Sequence, residues 1–170
     1  MLKAGAIWRT VTVRGTPLTV PPAESAGLSV SKTFYSFSGG PVNLASLKQG
    51  DRVIVLVRGQ SSRGQTTAMA VDDALPAGFE IETTLSPDDA ETGPFKFLGK
   101  LTTASVQEAR DDRYMAAMSL PGNGGFAFAY VARAVTPGDF FLPGAQAIDM
   151  YHAGVFGHSA AGRLVVAAGP

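Results

Sequence analysis

The chain has 170 residues, 45% of them hydrophobic, and its 14 basic side chains balance its 14 acidic ones. This length suits one domain, or one domain with an appendage, and the balanced charge leaves no electrostatic footprint for nucleic acid or for an anionic membrane surface. The absence of cysteine excludes disulfides, thiolate metal sites and a cysteine nucleophile. No apolar run approaches the roughly 20 residues of a membrane helix. We therefore expect a protein or small-molecule partner, no nucleic acid and no direct membrane insertion.

Residues 1–22 differ from the rest of the chain. A strand-like run is followed by the Pro-rich stretch TPLTVPP, which is typical of a connector. We interpret this segment as a trailing strand and linker from a preceding domain, and residues 23–170 as the main domain. The first residues lack the apolar core of a signal peptide, so the export signal of a larger parent is expected upstream.

Short strands are the predicted elements of the whole chain. Twenty glycines and eleven prolines interrupt it too often for long helices, and the runs between them are rich in Val, Ile, Phe, Tyr and Thr. The pattern predicts an all-β antiparallel sandwich. The predicted strands are 7–14, 28–37, 52–59, 66–71, 78–83, 105–109, 113–120, 126–135, 147–151 and 163–168.

One helical turn is predicted, over residues 43–49. Leu44 and Leu47 have the i, i+3 spacing of a helix face, and Gly50 is placed to end it. This turn is too short to change the fold class.

Two strands have informative faces. The strand 52–59 is apolar on both sides, so either it is central in a sheet or its outer face meets a partner. In the strand 126–135, the large residues Phe126, Phe128 and Tyr130 alternate with smaller ones. We expect the aromatic face to lie in the core.

A charged cluster could carry chemistry. Paired carboxylates can perform acid and base catalysis or hold a hard cation, but the spacing does not match a calcium-binding loop. We favour a structural network of ion pairs. Its members are Glu108, Arg110, Asp111, Asp112 and Arg113.

Arg133 is a charge in the middle of a predicted strand. An unpaired buried guanidinium is costly, so we expect Asp111 or Asp112 to pair with it and join the ion-pair network. The alternative is that Arg133 faces solvent on an edge strand. Replacing Arg133 with Met should leave stability nearly unchanged in that second case.

The two histidines, His152 and His158, lie in a predicted loop with Asp149 nearby. Two imidazoles make a weak metal site even with Asp149 as a third ligand, so we favour an exposed loop without metal. No Gly-x-Ser-x-Gly elbow raises a nucleophile, and no nucleophile, base and orienting group have informative spacing. We expect no enzyme activity and no cofactor.

Met150 and Tyr151 follow Asp149 directly. Both residue types are enriched where proteins meet, which would suit an interface, although such a pair more usually ends a strand. The alternative is that the two side chains end a strand and cover an edge of the core.

Several motifs in order carry a family resemblance. They are similar to the C-terminal macroglobulin-like domain of bacterial alpha-2-macroglobulins, periplasmic relatives of a serum protease trap, over residues 15–166. The motifs are GTPLTVPPAESAGLSVSKTFY, LKQGDRVIVLV, VDDALPAGFEIE, EARDDRY, YVARAVTPGDFFLPG and DMYHAGVFGHSAAGRLVV.

The resemblance implies a mechanism for a large parent chain. A target protease cuts an exposed bait segment, and the rearrangement exposes a thioester that captures the protease. That thioester comes from a Cys-x-x-Gln in a neighbouring domain, and some members lack it, which would leave this domain a scaffold. The resemblance implies that this domain packs against the thioester domain and other macroglobulin-like domains of the same parent. Met150 and Tyr151 are the expected contact residues.

The sequence departs from the family at His152 and Ala153, where a basic residue and a proline are expected. A different function class also stays open, a stand-alone β-sandwich that binds carbohydrate or another ligand. Trp8 and Tyr35 would then form an aromatic platform.

Overall fold

Strands make up nearly all the regular structure of the computed structural model, which describes residues 9–13 and 19–169. The all-β prediction is confirmed. The only helical elements of the described residues are a short helix, α1 (Pro87–Glu91), and a 3₁₀ turn (Lys96–Leu98). The strands are β1 (Glu24–Ala26), β2 (Leu28–Tyr35), β3 (Leu47–Lys48), β4 (Arg52–Ser61), β5 (Thr67–Ala74), β6 (Phe79–Leu85), β7 (Val106–Ala109), β8 (Arg113–Leu120), β9 (Gly125–Ala134), β10 (Gly138–Leu142), β11 (Gln146–Asp149), β12 (Phe156–His158) and β13 (Gly162–Ala167).

Three sheets are formed. A six-stranded sheet has the order β1-β12-β11-β5-β8-β7, a four-stranded sheet β2-β4-β9-β6, and a three-stranded sheet β10-β13-β3. The paired strands are antiparallel except for β13 and β3, which run parallel. Apolar side chains of all three sheets meet in one main core. This arrangement is a β-sandwich, as predicted.

Strand β4 is central in its sheet and is buried on both faces. It lies between β2 and β9, and its valines enter the main core while Ile54 and Leu56 point the other way. A second core covers that outer face. Its other members include Ala90 of α1, Leu98 of the 3₁₀ turn and Leu101. The chain itself therefore keeps both faces of this strand dry.

The aromatic residues of β9 lie in the main core, as expected. The rings of Tyr130 and Tyr114 stack with centroids 5.2 Å apart, and those of Phe126 and Phe128 are 5.7 Å apart. Such pairs stabilise a core beyond the burial of their area. The opposite, small-residue face of β9 is also buried, in the second core.

A buried ion pair joins the two larger sheets. Lys32 Nζ of β2 lies 2.6 Å from Asp73 Oδ1 of β5, and Tyr130 donates a hydrogen bond of 2.7 Å to Asp73 Oδ2. Lys32 Nζ also donates to the carbonyls of Ala74 and Pro143. Burial raises the pKa of Asp73, and the ammonium opposes this. The predicted strand 66–71 ends at Val71, but β5 continues to Ala74, so Asp73 is an interior residue of the strand.

The helical turn predicted at 43–49 is wrong. Leu47 and Lys48 form β3, in which Leu47 pairs with Val166 of β13, and Leu47 is buried in the main core. The leucine spacing reflects a turn followed by a strand.

Helix α1 has its own start signal. The Asp89 carboxylate accepts hydrogen bonds from the Ser86 backbone N–H at 2.8 Å and the Ser86 hydroxyl at 2.6 Å, and Pro87 occupies the first turn. A Ser followed three residues later by an acidic side chain is a helix-capping pattern, so the sequence contained this signal.

The predicted strand 7–14 lies partly outside the described residues, and residues 9–13 form no strand. Four strands were not predicted: β1, β3, β10 and β12. Three of them are two or three residues long, too short for an alternating pattern. Among the described residues, no helix is long and apolar enough to cross a membrane.

Candidate functional site

The loop between β11 and β12, residues 150–155, is the site that the sequence singled out. Its first backbone N–H, that of Met150, donates to the carbonyl of Ala68 on β5 at 2.8 Å. Across the loop, Asp149 N–H donates to Val155 O at 2.9 Å, and Val155 N–H to His152 O at 2.8 Å. The loop is therefore held at both ends.

Asp149 shapes this loop from inside. Its buried carboxylate accepts hydrogen bonds from the backbone N–H of Tyr151 at 2.9 Å and of His152 at 3.2 Å. The other carboxylate oxygen of Asp149, Oδ2, lies 2.9 Å from the Nδ1 atom of His152. The hydrogen bond from the Tyr151 N–H contributes most to lowering the pKa of the Asp149 carboxyl, and the contacts with His152 lower it further. Sequence reasoning considered Asp149 only as a metal ligand, although an Asp at the start of a loop is a common turn residue.

The side chains of Met150 and Tyr151 project outward from this braced loop. Met150 is 50% exposed and Tyr151 81%. This exposure, of Tyr151 above all, favours the interface over the alternative that the two side chains cover an edge of the core. A rigid pair of exposed apolar side chains is the geometry that an interface requires.

The two histidines have different partners. His152 contacts Asp149, whereas His158 of β12 has its Nε2 atom 3.3 Å from Glu24 Oε2 on β1. Among the described residues, no group of three or more His, Cys, Asp or Glu side chains is arranged to hold a metal ion. Of the three residues considered as ligands, the structure brings His152 to Asp149 but gives His158 a different partner, Glu24.

The charged cluster at the β7–β8 turn forms separate surface pairs. Arg110 bonds Glu108 at 2.8 Å, and this hydrogen bond lowers the pKa of the Glu108 carboxyl. Arg113 lies 2.9 Å from Asp112 and 3.2 Å from Asp72 of β5. These side chains are exposed to solvent, so such pairs contribute little to stability. Asp111 is exposed and belongs to none of these pairs.

Arg133 contacts carboxylates other than the predicted ones. It lies 3.6 Å from Glu80 and 3.4 Å from Glu82, both on β6, and Arg52 of β4 bonds Glu82 at 2.5 Å. The register of β6 against β9 places Glu80 opposite Arg133. Arg133 does face solvent, but β9 is an interior strand rather than an edge. Both expectations for Arg133, a partner among Asp111 and Asp112 or a place on an edge strand, are therefore wrong.

Only one residue of the aromatic platform predicted for the alternative function is described by the structure. Trp8 lies outside the described residues. Tyr35 packs on Phe97 with ring centroids 5.7 Å apart and borders the second core. It is a packing residue rather than a free ring.

The chain shares this fold and sequence pattern with a known group of proteins. A family model described as the bacterial alpha-2-macroglobulin MG10 domain matches residues 27–153. The alpha-2-macroglobulin of Xylella fastidiosa strain Temecula1 is 32% identical over 152 residues, which cover 85% of this chain and 9% of the relative. That of Escherichia coli is 29% identical over 153 residues, covering 85% and 9%.

Solved structures of bacterial alpha-2-macroglobulins contain a domain with the same fold as this chain. Salmonella alpha-2-macroglobulin reacted with methylamine superposes with a TM-score of 0.78 at 30% identity, covering 90% of this chain and 10% of that one. An Escherichia coli alpha-2-macroglobulin structure that spans domain MG7 to the C-terminus superposes with a TM-score of 0.74 at 26% identity. The match covers 90% of this chain and 25% of that one. The chain thus spans about a tenth of the length of the curated relatives it matches. It belongs to the bacterial alpha-2-macroglobulin MG10 domain family.

Proposed function

We propose that this chain is the C-terminal macroglobulin-like domain of a periplasmic alpha-2-macroglobulin-like protease inhibitor, and that it does no chemistry itself. The short coverage of its relatives supports a larger parent chain. The match within an Escherichia coli structure that runs from MG7 to the C-terminus supports a late position in that parent. The matched residues 27–153 lie inside residues 23–170, our proposed domain, with 1–22 as the trailing strand and linker.

The partners follow from this proposal. Escherichia coli alpha-2-macroglobulin has been solved after activation by trypsin and by porcine elastase, and the Salmonella protein after reaction with methylamine. The parent would meet target proteases in the same way. This chain has no cysteine, so a thioester would lie in another domain. Here the task is to pack against that domain and keep water and small amines away until cleavage.

The braced loop with Met150 and Tyr151 carries the proposal. Burying the exposed apolar surface of these side chains against a partner would stabilise the contact, and more surface is available on Tyr151 than on the half-buried Met150. Because Asp149 already fixes the loop backbone, little conformational entropy is lost on docking. The contact must be strong before cleavage and weak afterwards, so that differential contact free energy drives the switch.

The departure from the family at His152 and Ala153 is compatible with this role. A proline would restrict the backbone of the loop. Here the His152 side chain bonds Asp149, and its carbonyl accepts the Val155 N–H. These bonds constrain the loop in place of the expected proline.

The test is the rate of thioester loss in the full-length parent. Tyr151→Ala should speed the methylamine-driven release of a free thiol by about tenfold or more, the equivalent of about 1.4 kcal/mol of lost protection. Tyr151→Phe retains the ring and should react like the wild type. Phe141→Ala, which removes a half-exposed ring from β10, is the matched control. An unchanged rate in Tyr151→Ala would refute the shielding role.

A parent that releases no thiol with methylamine would leave this domain a scaffold. The domain would then still pack against its neighbours, and its effect would be read in the stability of the parent.

A further inference from the structure

The outer face of the six-stranded sheet carries an apolar row. The pairing registers place Ile148 of β11 beside Ala70 of β5, Ala70 beside Ala117 of β8, and Ala117 beside Val106 of β7. Ile148 is 45% exposed and Val106 63%. Two alanines between these larger side chains leave a trough of about 380 Å³ in the sheet surface.

A second row borders this trough and is acidic. It places Gln146, Asp72, Met115 and Glu108 side by side on the same four strands. Asp72 and Glu108 line the trough, and no basic side chain lines it. Arg113 holds one oxygen of Asp72 from the side, but Oδ1 is buried and accepts no hydrogen bond from the described residues. Because Oδ1 is buried, an occupant would meet the exposed parts of the Asp72 and Glu108 side chains instead. Their arginine partners, Arg113 and Arg110, do not line the trough, so a cation suits the occupant.

The trough is continuous with the proposed contact loop. Side chains alternate along a strand, so Ile148 and Met150 share the outer face while Asp149 between them is buried. Met150 also hydrogen-bonds the backbone of β5, the strand that carries Ala70 and Asp72. A partner seated on Met150 and Tyr151 would therefore lie next to the trough.

We propose that this trough is a second interdomain contact, which takes a segment of a neighbouring domain of the parent chain. The segment carries an aliphatic side chain beside a lysine or arginine. The aliphatic group fills the space above Ala70 and Ala117, and the cation pairs with the exposed parts of the Asp72 and Glu108 carboxylates. This inference rests on the proposed function, because it requires a parent with neighbouring domains.

A second copy of this chain is a poorer occupant. A two-fold contact brings the same surface of both copies together. It would set Asp72 and Glu108 of one copy against the same carboxylates of the other, and like charges that face each other destabilise a contact.

Methionine oxidation in the uncleaved full-length parent tests the trough. Met115 lines it, Met69 lies on the inner face of the same sheet and is fully buried, and Met150 lies in the contact loop. With dilute peroxide and peptide mass spectrometry, a covered trough makes Met115 oxidise nearly as slowly as Met69. Val106→Glu should speed Met115 oxidation by about fivefold or more, since local opening exposes the sulfur.

Matched variants keep this test decisive. Val165→Glu alters a similar half-exposed valine on β13 and should leave Met115 unchanged. Val106→Ser, a milder change on the exposed edge strand β7, should act in the same direction as Val106→Glu. Slow oxidation of Met69 in each sample verifies folding. Equal Met115 rates in the wild type and both Val106 variants would overturn the proposal, as would protection that disappears on dilution, which indicates a second copy.

The two proposals fail separately in this experiment. Protected Met115 with reactive Met150 supports the trough contact and contradicts the loop contact. Reactive Met115 with protected Met150 does the opposite.

Discussion

The two larger sheets of this domain differ in what covers their outer faces. The four-stranded sheet is covered by the chain itself, because α1 and the 3₁₀ turn place Ala90 and Leu98 over Ile54 and Leu56. The six-stranded sheet has no such cover among the described residues, and it leaves Ile148, Val106 and the neighbouring loop exposed. The difference indicates which face is part of the fold and which is available to a partner.

The largest expected effect concerns the ion pair between the sheets. Lys32→Met should destabilise the chain by about 3–5 kcal/mol, because it leaves the buried Asp73 carboxylate without its cation. Urea unfolding measures the change. The double variant Lys32→Met with Asp73→Leu should recover much of the loss, since no buried charge then remains. A single variant as stable as the wild type would show that the two sheets do not depend on this pair.

A paired substitution tests the comparison of faces directly. Leu98→Ala removes a fully buried side chain of the second core and should cost about 2–5 kcal/mol. Ile148→Ala on the open face should stay within about 0.5 kcal/mol. Equal losses in urea unfolding would mean that the outer face of the six-stranded sheet contributes to folding, and the distinction would fail.

The contact loop should depend on pH through Asp149. Its pKa is lowered in the folded chain, so its stabilising bonds are complete above the unfolded pKa of about 3.9 and are lost as pH falls through the folded value. The amide NMR shifts of Tyr151 and His152 should therefore move together below about pH 4. In Asp149→Asn these shifts should not titrate in that range. A wild-type loop unchanged by acid would contradict the role of the carboxylate.

The smallest expected effect is at Arg133. Its pairs with Glu80 and Glu82 are partly exposed, so Arg133→Met should change stability by about 0–1 kcal/mol. Lys32→Met is the buried reference for the same loss of a cation. A loss of stability in Arg133→Met as large as in Lys32→Met would show that the paired charges of β4, β9 and β6 act as one network.

The residues that sequence reasoning placed correctly had local signals. Alternation identified Phe126, Phe128 and Tyr130 as core residues. Apolar character on both sides predicted that β4 is either central or covered by a partner, and the structure shows it central. Met150 and Tyr151 were predicted inside a strand over 147–151, but β11 ends at Asp149, and the support of the following loop by Asp149 was not predicted. That bracing depends on a carboxylate turned inward, which the residue types alone do not reveal.

The sequence by itself determined the all-β class and the family. The positions of glycine and proline and the order of the motifs are local properties, which can be read without knowing which strands pair. Only the tertiary structure decided that Arg133 pairs with Glu80 and Glu82, that Asp73 is buried, and that two alanines of different strands form one trough. The reason is strand register. Pairing joins residues far apart in the chain, and a shift of one residue would turn every side chain of a strand to the other face.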